Sequence, residues 1–224
     1  MKYYKIINKE KKHHNLSYNP GIIQDPIEFN PSGDCTPGGI YFAKEDILAF
    51  LDYGCYISEV SLLKDSKIYK NPKEPIKYKA NKIILGKFKK ITLTVIKELV
   101  KEGANIHAGK NAALKWASLN GHLEIVKYLI QEGADLHAEN NYALRRASLN
   151  GHLEIVKYLI QEGADIHAGS EYALRLASQY GHLEVVKYLI KKGANIHAED
   201  EYALRWASEN GHLEIVEYLH FINQ

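Results

Sequence analysis

The chain has 224 residues, 46% of them hydrophobic and 25% charged, and carries a net charge of +2, which suits a folded protein with room for two modules. Residues 1–89 hold 15 Lys/Arg against 10 Asp/Glu, and residues 90–224 hold 14 against 17. Neither half has the basic bias of a nucleic-acid domain, and no nucleic-acid partner is expected.

No apolar run approaches the roughly 20 residues that cross a bilayer, so no membrane partner is expected. The opening MKYYKIINKEKKHHN has no apolar core and no small-residue cleavage site. Cys35 and Cys55 are too few for a disulfide framework and read as free thiols. A cytoplasmic protein is the expectation.

In chain order, residues 2–8 alternate well enough to be a strand, and Asn19-Pro20-Gly21 is a turn. Residues 25–39, with three prolines and Gly33, Gly38 and Gly39, read as loop. Ile40-Tyr41-Phe42 is a short apolar strand. Residues 44–53 read as an amphipathic helix with Ile47, Leu48 and Leu51 inward, ended by Gly54. Residues 55–63 alternate as a strand, 71–75 break the chain, and 78–85 read as a last strand. Residues 1–89 are therefore expected to form a small α+β domain. The cluster Lys9, Lys11, Lys12, His13 and His14 is interrupted by Glu10 and reads as a solvated edge.

Pro37-Gly38-Gly39-Ile40-Tyr41-Phe42-Ala43, a helix, and then Ile57-Ser58-Glu59-Val60-Ser61-Leu62 resemble the nicotinamide-pocket segments of ADP-ribosyltransferases. The resemblance implies a pocket built by His14, Gly39, Tyr41 and Tyr53. It also implies a late Glu, but Asn81 or Lys82 occupies that position. Without the carboxylate, transfer chemistry loses the electrostatic partner of the ribosyl cation. The reading here is a capping domain, not an enzyme and without a cofactor. The alternative is a degenerate transferase-like module whose target the rest of the chain recruits.

From residue 109 the chain repeats itself. GHLEIVKYLI stands at 121–130 and 151–160, GHLEVVKYLI at 181–190 and GHLEIVEYLH at 211–220, each 30 residues after the last. A fixed period of this size means stacked supersecondary units. Each unit predicts two helices, the first over about 142–149 and the second over about 153–162, with Leu153, Val156, Leu159 and Ile160 on one face. Gly163 ends the second helix as a C′ glycine.

The helix-two motif followed by Gly-Ala-Asp-Ile-His-Ala is similar to the second half of an ankyrin repeat, in particular to the ankyrin proteins of giant DNA viruses of amoebae. Tyr-Ala-Leu-Arg stands where the family has Thr-Pro-Leu-His, and the period falls short of the usual length of about 33. The resemblance therefore implies an all-α solenoid with shortened fingers after the α+β domain. The expected divisions are a half unit at 90–108 and units at 109–138, 139–168, 169–198 and 199–224. A half unit exposes an apolar face, so residues 1–89 are expected to cap it. In the last unit His220 replaces a core isoleucine, which suits an end helix.

Columns that stay fixed between units read as core and turns, and columns that vary read as exposed. The varying ones hold Trp116, Arg146, Leu176 and Trp206; Leu119, Leu149, Gln179 and Glu209; and Asn120, Asn150, Tyr180 and Asn210. By resemblance these first-helix columns face a groove that binds a partner protein, within host cytoplasm if the chain is viral. Their Trp, Tyr and Arg are the types enriched at interface hot spots. The basic column Lys115, Arg145, Arg175 and Arg205 needs an offset, for which Glu171 and Glu201 are near; without one it would be a strip for an acidic segment. Eight of the 11 histidines recur once per unit. Stacking spreads them into ladders instead of converging them on one ion, so no metal is expected.

Overall fold

In the computed structural model, which describes residues 2–13, 16–31 and 39–223, the apolar run YYKII forms β1 (Tyr3–Ile7). A short hairpin pairs β2 (Lys12–His13) with β3 (Leu16–Ser17), and β4 (Gly21–Gln24) and β5 (Ile40–Phe42) follow. The segment read as an amphipathic helix is a 3-10 helix, Glu45–Tyr53, which buries Ile47, Leu48 and Leu51 as expected. β6 (Tyr56–Ser61), β7 (Ile68–Asn71), β8 (Lys77–Ala80), β9 (Lys82–Leu85) and β10 (Lys89–Lys90) complete the strands.

Two sheets result. One runs β1-β6-β9-β4, with β10 also on β6; the other runs β5-β8-β7. All pairings are antiparallel, with Ile6 opposite Ile57 and Ile40 opposite Ala80. The predicted single strand 78–85 is two strands in different sheets. Asn81 is the crossing point: its N–H donates to the Lys67 carbonyl and its carbonyl accepts from Asp25 N–H. The sheets close on a core of Ile7, Tyr18, Ile40, Phe42, Val60, Ala80, Ile83 and Leu85. Gly54 is needed for space, since an added Cβ would lie 2.2 Å from the Ile7 carbonyl oxygen.

The chain divides into two compact units, Met1–Ala113 and Leu114–Gln224. The first contains the half unit as well as the strands. Its α1 (Leu93–Lys101) is capped by Thr92 and buries Val95, Ile96 and Leu99. Tyr4 Oη donates to Glu102 at 2.8 Å, Asn105 N–H donates to the Glu45 carbonyl at 2.7 Å, and Asn105 Nδ2 donates to buried Asp46 at 3.1 Å.

The second unit is helical. After α2 (Ala108–Leu119) and α3 (Leu123–Gln131) come the pairs α4 (Ala138–Leu149) and α5 (Leu153–Gln161), α6 (Ala168–Gln179) and α7 (Leu183–Lys191), and α8 (Ala198–Glu209) and α9 (Leu213–Ile222). Both predicted helices of each unit are present. Each inner second helix buries its three core positions, Ile155, Val156 and Leu159 in α5, worth about 1.5–3 kcal/mol apiece. First helices contribute the small face Ala143, Leu144 and Ala147.

In place of a hairpin finger, each first helix opens with three left-handed residues: Glu139, Asn140 and Asn141 (φ 50°, 61° and 55°), and likewise 169–171 and 199–201. L-residues resist this conformation by roughly 1–2 kcal/mol each, so the turn persists only where contacts hold it.

Candidate partner-binding surface

The first helices carry an alternating ladder of cations and rings. Arg145 lies 4.9 Å from the Tyr142 ring centroid and 5.3 Å from that of Tyr172; Arg175 lies 4.8 Å from Tyr172 and 5.3 Å from Tyr202. Arg205 closes the series 4.7 Å from Tyr202. Each guanidinium also donates to the carbonyl of the first left-handed residue, Arg145 to Glu139 at 2.7 Å and Arg175 to Gly169 at 2.9 Å. The expected carboxylate offset is therefore corrected. Tyrosine faces and turn carbonyls offset the arginine column, and among the described residues Lys115 is the member of the column that pairs with a carboxylate, Glu139 at 2.7 Å. Glu171 turns instead to His167 Nδ1 at 2.5 Å, and this hydrogen bond holds the imidazole above its ordinary pKa.

In the unit 139–168 the third left-handed residue fastens the opening turn to the loop after the second helix of the same unit. Asn141 Oδ1 accepts from Asp165 N–H at 3.0 Å. Three of the Gly-His-Leu histidines bond across to the preceding unit: His152 Nε2 donates to the Leu119 carbonyl at 3.0 Å, His182 to Leu149 and His212 to Gln179 at 2.8 Å. Among the described residues no group of three or more His, Cys, Asp or Glu could hold a metal ion.

The varying columns divide by burial. Trp116 and Leu176 are 9% and 7% exposed, and Trp116 packs on His122 with ring centroids 4.9 Å apart. Arg146 is half-buried and bonded to the Tyr142 hydroxyl, and Trp206 is half-buried against Tyr202 at 4.4 Å. Leu119, Leu149 and Gln179 are half-buried, while Asn120, Asn150, Asn210 and Glu209 are exposed. Tyr180 is the aromatic residue of these columns that stands out, at 51% exposure. A surface thus remains along the C-terminal ends of the first helices, and the Trp116 column lies largely beneath it. The burial of Trp116 and Leu176 is not readable from column variability, which reports tolerance and not depth.

In the first unit, Tyr41 and Tyr53 line one cavity of about 90 Å³, together with Lys5, Tyr18, Phe50 and Lys77. Gly39 lies apart from it, donating its N–H to Asp25 at 2.8 Å. His14 lies outside the described residues. No carboxylate lines the cavity among the described residues. Lys5 went unnoticed in the sequence, where a lone lysine inside YYKII is the signal that could have found it.

Helix pairs at a 30-residue period, locked by histidine and asparagine bonds and bearing one variable edge, define a solenoid of the kind that generally serves as a protein-interaction module. This chain belongs to the ankyrin-repeat family: the family profile for ankyrin repeats (3 copies) matches residues 87–170 and 144–223. It is similar to ankyrin repeat proteins of Acanthamoeba polyphaga mimivirus. It is 35% identical to R868 over 128 residues (54% of this chain, 63% of that protein) and 35% identical to R229 over 123 residues (51% and 40%). A third, R896, is 35% identical over 126 residues (54% and 38%). The matches span less than two-thirds of the length of these relatives. The family match begins at residue 87 and so does not extend to residues 37–62, for which the comparisons show no similarity to ADP-ribosyltransferases.

Proposed function

We propose that the chain is a non-catalytic adaptor that binds a partner protein through the variable edge of its first helices, and that residues 1–89 cap the half unit. The observation that carries the reading is the contrast between a locked scaffold and that edge. Tyr-Arg stacking recurs through the last three units and the Gly-His-Leu histidines through all four, while Leu119, Leu149, Gln179 and Glu209 change at one structural position and Tyr180 replaces asparagine at the next. A surface held this way loses little ordering entropy on binding. Tyr180, Arg146 and Trp206 supply the hot-spot chemistry, and Trp116 and Leu176 support it from below. The relatives belong to a virus of Acanthamoeba, so the partner is sought in amoebal cytoplasm.

The test is affinity capture from amoebal lysate with the full chain and with a Tyr180→Ala, Arg146→Ala, Trp206→Ala variant. The captured protein is then identified and its affinity remeasured with purified components. Loss of binding with the fold retained by circular dichroism is expected. Undiminished affinity of the folded variant would overturn the assignment of this edge.

A further inference from the structure

Lys5 is a buried charge in the first unit. It sits in the middle of β1, 7% exposed. Its Nζ donates to the Tyr41 carbonyl at 2.8 Å and stands 4.6 Å from the centroid of the Tyr18 ring. An ammonium has three donors, and the carbonyl takes one. Burial lowers its pKa to about 8, so it is still mostly charged at neutral pH. A buried cation without a counter-charge is costly, and no carboxylate of the described residues pairs with Lys5.

The lysine borders the cavity between β1, β5 and the 3-10 helix. Lys12, His13 and Lys77 add further basic groups to its wall, and Tyr18, Phe50 and Tyr53 give it aromatic sides. Its volume of about 90 Å³ is several times what one water needs and well below the range of sites for drug-sized ligands. Aromatic walls disfavour a fully hydrated inorganic anion. Basic groups without a lining carboxylate disfavour cations and give a neutral amide no advantage.

We propose that this cavity is a binding site for a small organic acid, whose carboxylate meets the Lys5 ammonium and whose apolar body lies against Tyr18, Phe50 and Tyr53. The site belongs to the first unit alone and is independent of the partner-binding edge.

The experiment is calorimetric titration of the full chain with benzoate and with benzamide, which share size and ring and differ in charge. Inorganic phosphate serves as a third probe, and Lys5→Met as the variant. Benzoate is expected to bind, with benzamide and phosphate at least about tenfold weaker, the worth of a hydrogen bond to a charged group. Lys5→Met should abolish benzoate binding without lowering the melting temperature, since methionine fills the same space without a buried charge. Equal binding of benzamide, equal binding of phosphate, no benzoate binding at millimolar concentration, or full retention by Lys5→Met would each overturn the proposal. If Lys5→Met does not fold, the three probes on the unaltered chain decide alone.

Discussion

Gly151 shows how closely single residues are held. Its φ is +71°, and an added Cβ would stand 2.5 Å from Nδ1 of His182, the ring that bonds the Leu149 carbonyl. Gly211 occupies the same turn of the last unit at φ +74°, with nothing within 4 Å. The pair separates two effects that usually travel together. Gly211→Ala should cost only the left-handed penalty, about 1–2 kcal/mol. Gly151→Ala should cost that and the displaced inter-unit hydrogen bond, about 0.5–1.5 kcal/mol more. Urea unfolding of the full chain measures both, and equal destabilisation would mean that the histidine moves aside freely.

At the scale of the element, the left-handed turn and the Tyr-Arg ladder form one device. Left-handed residues other than glycine are strained, and the guanidinium that clamps the first carbonyl is itself held between two rings. Arg175→Ala removes a charged hydrogen bond, worth about 1.5–3 kcal/mol, and its stacking, about 0.5–1 kcal/mol. Arg175→Lys keeps the charge but not the planar fork. Both variants should unfold at lower denaturant, alanine more than lysine. A column serving only to dock an acidic segment would leave both midpoints unchanged.

The sequence shows why this device was legible only in part. Helices over 142–149 and 153–162 follow from apolar spacing and terminal glycines, and the structure has them. The finger was expected to be short, but its hand was hidden. Gly109 and Gly169 invite a left-handed turn, whereas Glu139 and Glu199 occupy the same position with nothing local to announce it. Likewise KYKANKIIL has no proline or glycine to break it at Asn81, and only pairing with β4 and β5 splits it into two strands. The candidate edge was found by comparing units, a periodic signal. Lys5 and its cavity come from chain segments far apart in sequence, which no period reports.

For the whole molecule, the question is what the first 89 residues do for the repeats. A half unit has one helix where a full unit has two, so α1 relies on neighbours outside the repeat pattern to cover it. Within the first unit those neighbours are identifiable. The Ile91 N–H donates to the Cys55 carbonyl, Tyr4 reaches Glu102, and Asp46 receives Asn105 while also accepting the Ile76 N–H at 2.6 Å. Asp46 thereby ties the 3-10 helix both to the loop before β8 and to the turn after α1. Removing residues 1–89 would break these bonds and uncover apolar surface. Terminal repeats tolerate neither well, because solenoid stability is built from nearest-neighbour contacts. The fragment 90–224 is expected to aggregate or to lose α1 cooperativity, seen as early amide exchange at Val95, Ile96 and Leu99, residues that are buried in the full chain. A soluble fragment that unfolds in one transition, with those amides still protected, would show that the repeats stand without a cap. The N-terminal unit would then need a reason of its own, for which the Lys5 cavity is the candidate.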